Sequence, residues 1–217
     1  MTGAHMTEGV VLIGPAYSVY VRIARLALSE KGVDYRLEEL DIFDEAAIPA
    51  DYLEHHPFKW VPLLSHGDFE LHETSAITRY IDEAFPGPPL QPSEPRQRAR
   101  MNQAIAILDT YAYWPLVRVI YVQRCDRDQA DEAAIAEALP EARRCLGALE
   151  RLLDPAGFLS GPAFGLADIH AIPIFAYFLL TAEGQAGLAE HPALTAWWLR
   201  MKERPSVAAT RFAAEAA

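Results

Sequence analysis

The sequence predicts an α/β domain followed by an all-α domain. Three observations carry that prediction. Between Val10 and Ala84, short apolar runs alternate with helical spacings. Pro86 to Pro95 then holds five prolines and one glycine, a composition that breaks elements and links domains. Beyond it the apolar patterning is helical throughout. The expected boundaries are residues 7–86 for the first domain and 95–217 for the second. Met1 to His5, ahead of a second methionine at Met6, reads as a cloning remnant and is left out of the fold.

Val10 to Ile13 is an apolar run that stops at Gly14-Pro15, as a buried strand does. Ser18 to Lys31 has Val21, Ile23, Ala24, Ala27 and Leu28 at helical spacings and ends at Gly32, a C-terminal stop. Tyr35 to Leu40 alternates as a second strand, and polar Asp44 to Glu54 reads as a loose helix. Val61-Pro62 opens a third strand, His66-Gly67-Asp68 turns it, and a fourth strand runs into a helix at Glu73-Thr74-Ser75. Ile77, Tyr80, Ile81 and Ala84 continue that helix to Phe85-Pro86. This order resembles a thioredoxin-like mixed sheet of four strands, not a doubly wound nucleotide fold.

In the second domain, Met101, Ile105, Leu108 and Ala112 fall at helical spacing, and Pro115 is expected to kink that long helix. Ile135, Leu139, Ala142, Leu146, Leu149 and Leu153 mark the next one. Ile169 to Leu180 is apolar nearly all round, the pattern of a buried central helix. Trp197, Trp198 and Met201 belong to a last helix ending before Pro205.

Composition removes several functions. At 217 residues and 51% hydrophobic, the chain has ample core for one large or two small domains. A net charge of −11 argues against a nucleic-acid surface, which needs clustered Lys and Arg. Cys125 and Cys145 form neither a CxxC nor a metal-spaced set, which favours a reducing, cytoplasmic setting without disulfide or zinc. The longest apolar stretch, Ala171 to Leu180, is too short to span a bilayer.

The chemistry concentrates between Val61 and Ile77. X-Pro is the common setting for a cis peptide, and a cis bond before Pro62 turns the Val61 backbone outward, where an extended peptide can pair with it. The helix start at Glu73-Thr74-Ser75 offers free N–H groups and hydroxyls that suit a carboxylate. One end grips a peptide backbone and the other its acid group, a site for a small anionic peptide. Val-Pro, strand-turn-strand and Glu-Thr-Ser-Ala-Ile together resemble the thiol-tripeptide half of the cytosolic glutathione transferase family, with Thr74 where the family has Ser. The resemblance covers nearly all of Val10 to Pro205 and points to serine-type, bacterial-like members. A second landmark is Leu159 to Asp168, LSGPAFGLAD, where Gly165 stands at the family's Ser/Thr capping position. Only half of a reciprocal capping box is then expected, with a role in folding.

That resemblance implies a glutathione transferase fold, an α/β N-terminal thioredoxin-like domain plus an all-α C-terminal helical domain, in a homodimer. It implies glutathione as co-substrate, no metal, and conjugation of the glutathione thiolate to a small hydrophobic electrophile. It places Ser18, just after Gly14-Pro15-Ala16-Tyr17, as the donor to the glutathione sulfur; the plainer reading of Ser18 is a helix cap. A thiol with pKa about 8.5 is only a few per cent thiolate at neutral pH, so a hydroxyl donor and the positive helix end have something to supply. Tyr17 is the rival. Glu73 and Thr74 match the γ-glutamyl end, and Val61 and Pro62 the cysteinyl grip. The family's Asn-Pro-x-Gly-Lys-Val-Pro reads here His56-Pro57-Phe58-Lys59-Trp60-Val61-Pro62. Its carboxylate-binding lysine is therefore displaced to Lys59, with His55 or His56 as helpers. Adjacent histidines also raise metal binding, but no third ligand follows at suitable spacing. Tyr17, Tyr20, Tyr113, Trp114 and Arg118 are candidates for a second-substrate pocket, with Tyr111 beside them; core or dimer contacts explain the aromatics equally well. A glutathione-dependent isomerase or dehalogenase, or a non-catalytic protein of the same fold, is the alternative.

Overall fold

A computed structural model describes residues 9–46 and 48–215. Met1–His5, read above as a cloning remnant, lies outside the described residues. The chain divides into two compact units at Pro88/Pro89.

The first unit holds β1 (Val10–Ile13), α1 (Val19–Lys31), β2 (Tyr35–Glu38), α2 (Tyr52–His55), β3 (Leu63–His66), β4 (Phe69–His72) and α3 (Thr74–Ala84). Its four-stranded sheet has the order β2-β1-β3-β4. β1 runs parallel to β2 and antiparallel to β3, and β3 pairs antiparallel with β4 across Gly67-Asp68. α1 is the crossover between the parallel strands, and it packs against α3. Val21, Ile23, Leu26, Leu28, Ile77 and Ile81 are buried there. The helix expected over Asp44 to Glu54 shrinks to the single turn of α2. Asp41 and Asp44 accept hydrogen bonds from the N–H groups two residues on, Phe43 and Ala46, so the chain makes Asx turns instead of a helix.

The second unit begins with α4, a continuous helix over Pro95–Cys125. Pro115 acts on it by widening the winding. Leu108–Ala112 and Trp114–Tyr121 are π-helical, an arrangement that absorbs the missing N–H without ending the helix. By length and composition this one helix is apolar enough to cross a membrane, with 44% of its most apolar window buried in the protein. Arg100, Asn102 and Asp109 break its apolar run, so a search for continuous stretches passes over it. Met101, Ala104, Ile105, Leu108, Ala112, Leu116 and Ile120 are buried, which makes it a core helix of the unit. α5 (Glu132–Leu152), α6 (Leu166–Phe178), α7 (Ala182–Ala189), α8 (Pro192–Met201) and α9 (Pro205–Ala209) follow. Every residue of α6 is buried, as its all-round apolar sequence predicts. α7 and the turn of α9 lie beyond the expected elements.

The start of α6 departs from the expected half-box. Asp168 Oδ2 accepts from the Gly165 N–H at 3.1 Å, as anticipated. The missing hydroxyl is supplied from elsewhere. Ser160 Oγ accepts from the N–H groups of Ala167 and Asp168, at 2.9 and 3.3 Å, doing the work of a Ser or Thr at the cap. A Cβ on Gly165 would lie 2.3 Å from the Leu90 carbonyl oxygen and 2.9 Å from Ser160 Cβ. Gly165→Ser, which restores the family's residue, is therefore expected to destabilise the protein by about 1–3 kcal/mol through overpacking. A urea midpoint equal to the parent's would show that the family cap is tolerated here.

Candidate active site

Strand register assembles the site. Ile13, the last residue of β1, pairs with Leu63, the first of β3, and Leu63 pairs with His72, the last of β4. The segments leaving or entering those residues therefore share one end of the sheet: Gly14 to Ser18, Trp60 to Pro62, and Glu73 to Ser75. Gly14 brings the first two into contact. Its φ is +139°, and a Cβ there would sit 2.9 Å from Val61 Cβ and 2.5 Å from Val21 Cγ2, so only glycine fits.

The first segment is fixed by its own backbone. Gly14 N–H donates to the Glu38 carbonyl and Ser18 N–H to the Pro15 carbonyl, both at 2.9 Å. The Glu39 carboxylate accepts from Ala16 N–H at 3.1 and 3.2 Å. Ser18 is the N-cap of α1, with its Oγ accepting from Val21 N–H at 3.4 Å. The capping reading of Ser18 is thus correct, and it leaves the hydroxyl proton with no protein acceptor among the described residues. Tyr17 is 45% exposed. Its phenol is pushed up to about 12 by partial burial and by its hydrogen bond to Asp41, with Glu39 adding to the negative field. Tyr20 is half-buried on the first turn of α1.

In the second segment the Val61–Pro62 peptide is cis. Among the described residues the Val61 N–H and C=O have no backbone partner. The Trp60 carbonyl accepts from the Tyr52 hydroxyl at 2.8 Å, and Tyr52 is itself buried beside Leu40 and Leu63. Lys59 takes φ +55°, and its Nζ lies 4.0 Å from Glu45 Oε1. The two adjacent histidines have different surroundings. His55 Nδ1 bonds Glu70 Oε2 at 2.6 Å, while His56 is buried. Among the described residues, no group of three His, Cys, Asp or Glu side chains is placed to hold a metal ion.

The third segment has an unusual backbone. Glu73 precedes α3 with φ +71° and ψ +108°. A non-glycine residue there carries strain of about 1–3 kcal/mol, and such strain clusters at ligand clamps. The Glu73 carbonyl accepts from the N–H groups of Ala76 and Ile77. The N–H groups of Thr74 and Ser75 have no acceptor among the described residues, and Thr74 is nearly buried. These two donors stand at the positive end of an 11-residue helix. The backbone value of Glu73 is a signal that sequence reasoning does not reach.

The other candidates lie on α4 in the second unit. Tyr113 is half-buried, and burial raises its phenol pKa while its hydrogen bond to Arg118 opposes that rise. Arg118 stands five positions further on, and π-helical winding brings such a pair onto one face. Trp114 and Tyr111 are 64% and 56% exposed, so neither is core packing within the unit.

A four-stranded α/β unit with free N–H groups at a helix start, followed by a helical unit, defines the class: a thioredoxin-like domain joined to an all-helical one. The sequence matches the descriptions "Glutathione S-transferase, N-terminal domain" over residues 12–89 and "Glutathione S-transferase, C-terminal domain" over residues 100–205. Glutathione S-transferase U25 of Arabidopsis thaliana is 31% identical over 94% of this chain and 89% of its own. Glutathione S-transferase F14 of the same plant is 30% identical over 84% and 75%. Among solved structures, glutathione S-transferase III in apo form superposes with a TM-score of 0.80 at 27% identity, covering 93% of this chain and 95% of that one. The chain belongs to the glutathione S-transferase family.

Proposed function

We propose that this protein conjugates the thiolate of glutathione to a small hydrophobic electrophile, with the tripeptide lying across the three segments at one end of the sheet. The observation that carries the reading is their convergence. Among the described residues, peptide groups without a backbone partner at Val61, N–H groups without an acceptor at Thr74 and Ser75, and a hydroxyl proton without an acceptor at Ser18 share one end of the sheet. The Val61 backbone pairs with the cysteinyl residue, next to Pro62. Thr74 and Ser75 receive the γ-glutamyl carboxylate, and the Glu73 side chain receives its ammonium. Ser18 donates to the sulfur, stabilising the thiolate that attacks carbon while the leaving group or electron sink takes up the displaced pair. Lys59 reaches the glycyl carboxylate by leaving Glu45. Tyr17 and Tyr20 in the first unit, and Tyr113, Trp114 and Arg118 in the second, are the side chains assigned to the electrophile.

The serine-type assignment rests on Ser18 and on the engagement of Tyr17 with Asp41. Its bacterial-like half has no residue behind it, and the F14 and U25 relatives named above are plant proteins. Homodimerisation and a cytoplasmic location come with the family reading. An isomerase or dehalogenase would use the same thiolate and is separated by product analysis.

Calorimetric titration with glutathione, followed by ultraviolet absorbance of the bound thiolate, tests binding and activation together; no heat of binding would sink the reading. Thr74→Val keeps the shape and removes the hydroxyl. It is expected to weaken glutathione binding by about 1–3 kcal/mol. An unchanged affinity would place the γ-glutamyl group elsewhere.

A further inference from the structure

We propose that His56 and His72 form a positioning pair that ties together the two glutathione-gripping segments and makes the grip loosen as pH falls. The proposal rests on the glutathione reading above and concerns a feature of this chain, since His56 stands where the family's pattern has asparagine.

The geometry is a ring cluster around the buried His56 that joins both arms of the site. His56 is 2% exposed, and its ring centroid lies 4.7 Å from that of His72. Tyr52 stacks on His56 at 6.2 Å, and Phe58 meets both histidines edge-on at 6.4 Å. On one arm, the His56 carbonyl accepts from Lys59 N–H at 2.9 Å, closing the turn before Trp60. Its stacking partner Tyr52 donates its hydroxyl to the Trp60 carbonyl, one residue from Val61. On the other arm, His72 ends β4 and leads directly into the strained Glu73. Moving His56 therefore moves the Val61 grip against the Glu73-Thr74 grip.

The stack is proton-sensitive because it holds a neutral ring in a poor place for charge. His56 Nδ1 is buried and has no hydrogen-bond partner among the described residues. The titratable groups facing it are Tyr52 on α2, His72 on β4 and Glu73 at the entrance to α3; His55 is turned to Glu70. Burial, and then the neighbouring His72, lower the His56 pKa from 6.5, with Glu73 and the residue's own backbone opposing. A ring released from the stack regains its ordinary value, so opening takes up a proton. The closed arrangement then keeps its full stability above pH 6.5 and loses it as pH falls toward the lowered value. Glutathione's own carboxylates titrate well below this window and its amine and thiol above it.

The test is calorimetric titration with S-methylglutathione, whose sulfur does not ionise, at about pH 7.5 and about pH 5.5. The parent is expected to lose affinity by at least about threefold between them, and His56→Asn to lose almost none. A parent without that slope, or a His56→Asn variant that keeps it, overturns the proposal. If His56→Asn does not fold, His56→Gln is held to the same criterion. If the parent does not bind at either pH, the glutathione reading fails, and NMR of the unliganded protein decides the rest. Trp60 and Val61 amide shifts that follow the His56 imidazole titration support the positioning role, and shifts that ignore it overturn it.

Discussion

Ser18→Ala is expected to raise the pKa of the bound glutathione thiol and lower turnover at neutral pH by about 10–100-fold, the equivalent of one to two pKa units or about 1.4–2.8 kcal/mol. The deficit should shrink at high pH, where the thiolate forms unaided. Affinity for glutathione should change less than turnover, because the Val61 and Thr74 contacts hold the peptide away from the sulfur. The same substitution removes a helix cap, at a cost of about 1 kcal/mol in stability. Ser18→Gly separates the two effects, since glycine caps almost as well and still lacks the hydroxyl. Its turnover should fall as far as that of Ser18→Ala while its urea midpoint stays closer to the parent's. Tyr17→Phe should leave the pH–rate profile in place, because the phenol is bonded to Asp41 and raised to about 12 in an acidic field. If the serine variants keep the parent profile and the tyrosine variant loses it, the hydroxyl assignment is wrong. If all three keep it, backbone and helix terminus alone activate the sulfur.

The legible parts of this fold were those in which local chemistry and tertiary context agree. Val10–Ile13, the Gly67-Asp68 turn and the all-round apolar α6 need no distant partner to be read. The site's segments were legible for a related reason: X-Pro and a helix start are local devices. Their convergence was legible only through the family resemblance, because it follows from the register Ile13–Leu63–His72, which no single segment encodes. Three features stayed hidden for distinct causes. Pro115 carries the signature of a break, and the widened winding that absorbs it depends on neighbours packed around α4. Ser160 supplies the cap of α6 from before the helix, on a loop whose path is set by Asp168. The tyrosine–carbonyl clamp at Trp60 joins two residues that look unremarkable apart. Asp44 to Glu54 failed in the opposite direction: its polar spacing fits a helix, but Asp41 and Asp44 compete for the backbone N–H groups and win.

Asp168→Ala is expected to cost about 3–5 kcal/mol, the largest stability loss of any single change considered for this chain. Asp168 is fully buried at the start of α6. Its carboxylate accepts from Leu159 N–H at 2.8 Å, Ser160 N–H at 3.2 Å, Gly165 N–H at 3.1 Å and Trp197 Nε1–H at 2.8 Å. Burial pushes the carboxyl above its ordinary range, and the N–H donors oppose that rise. Truncation would leave those donors without an acceptor in a place water does not reach, and unmade buried bonds cost more than made ones contribute. It would also untie α8, whose Trp197 is the largest of the fully buried side chains among the described residues, from the start of α6. Asp168→Asn keeps the shape and one acceptor oxygen but turns an amide toward N–H groups, so it should fall between Ala and the parent. Urea unfolding followed by tryptophan fluorescence measures all three proteins. Turnover per folded molecule should stay near the parent's, because Asp168 touches neither Ser18 nor the Val61 and Thr74 segments. A loss below about 1 kcal/mol for Asp168→Ala would mean that Ser160 alone, through its bonds to Ala167 and Asp168, suffices to start the helix.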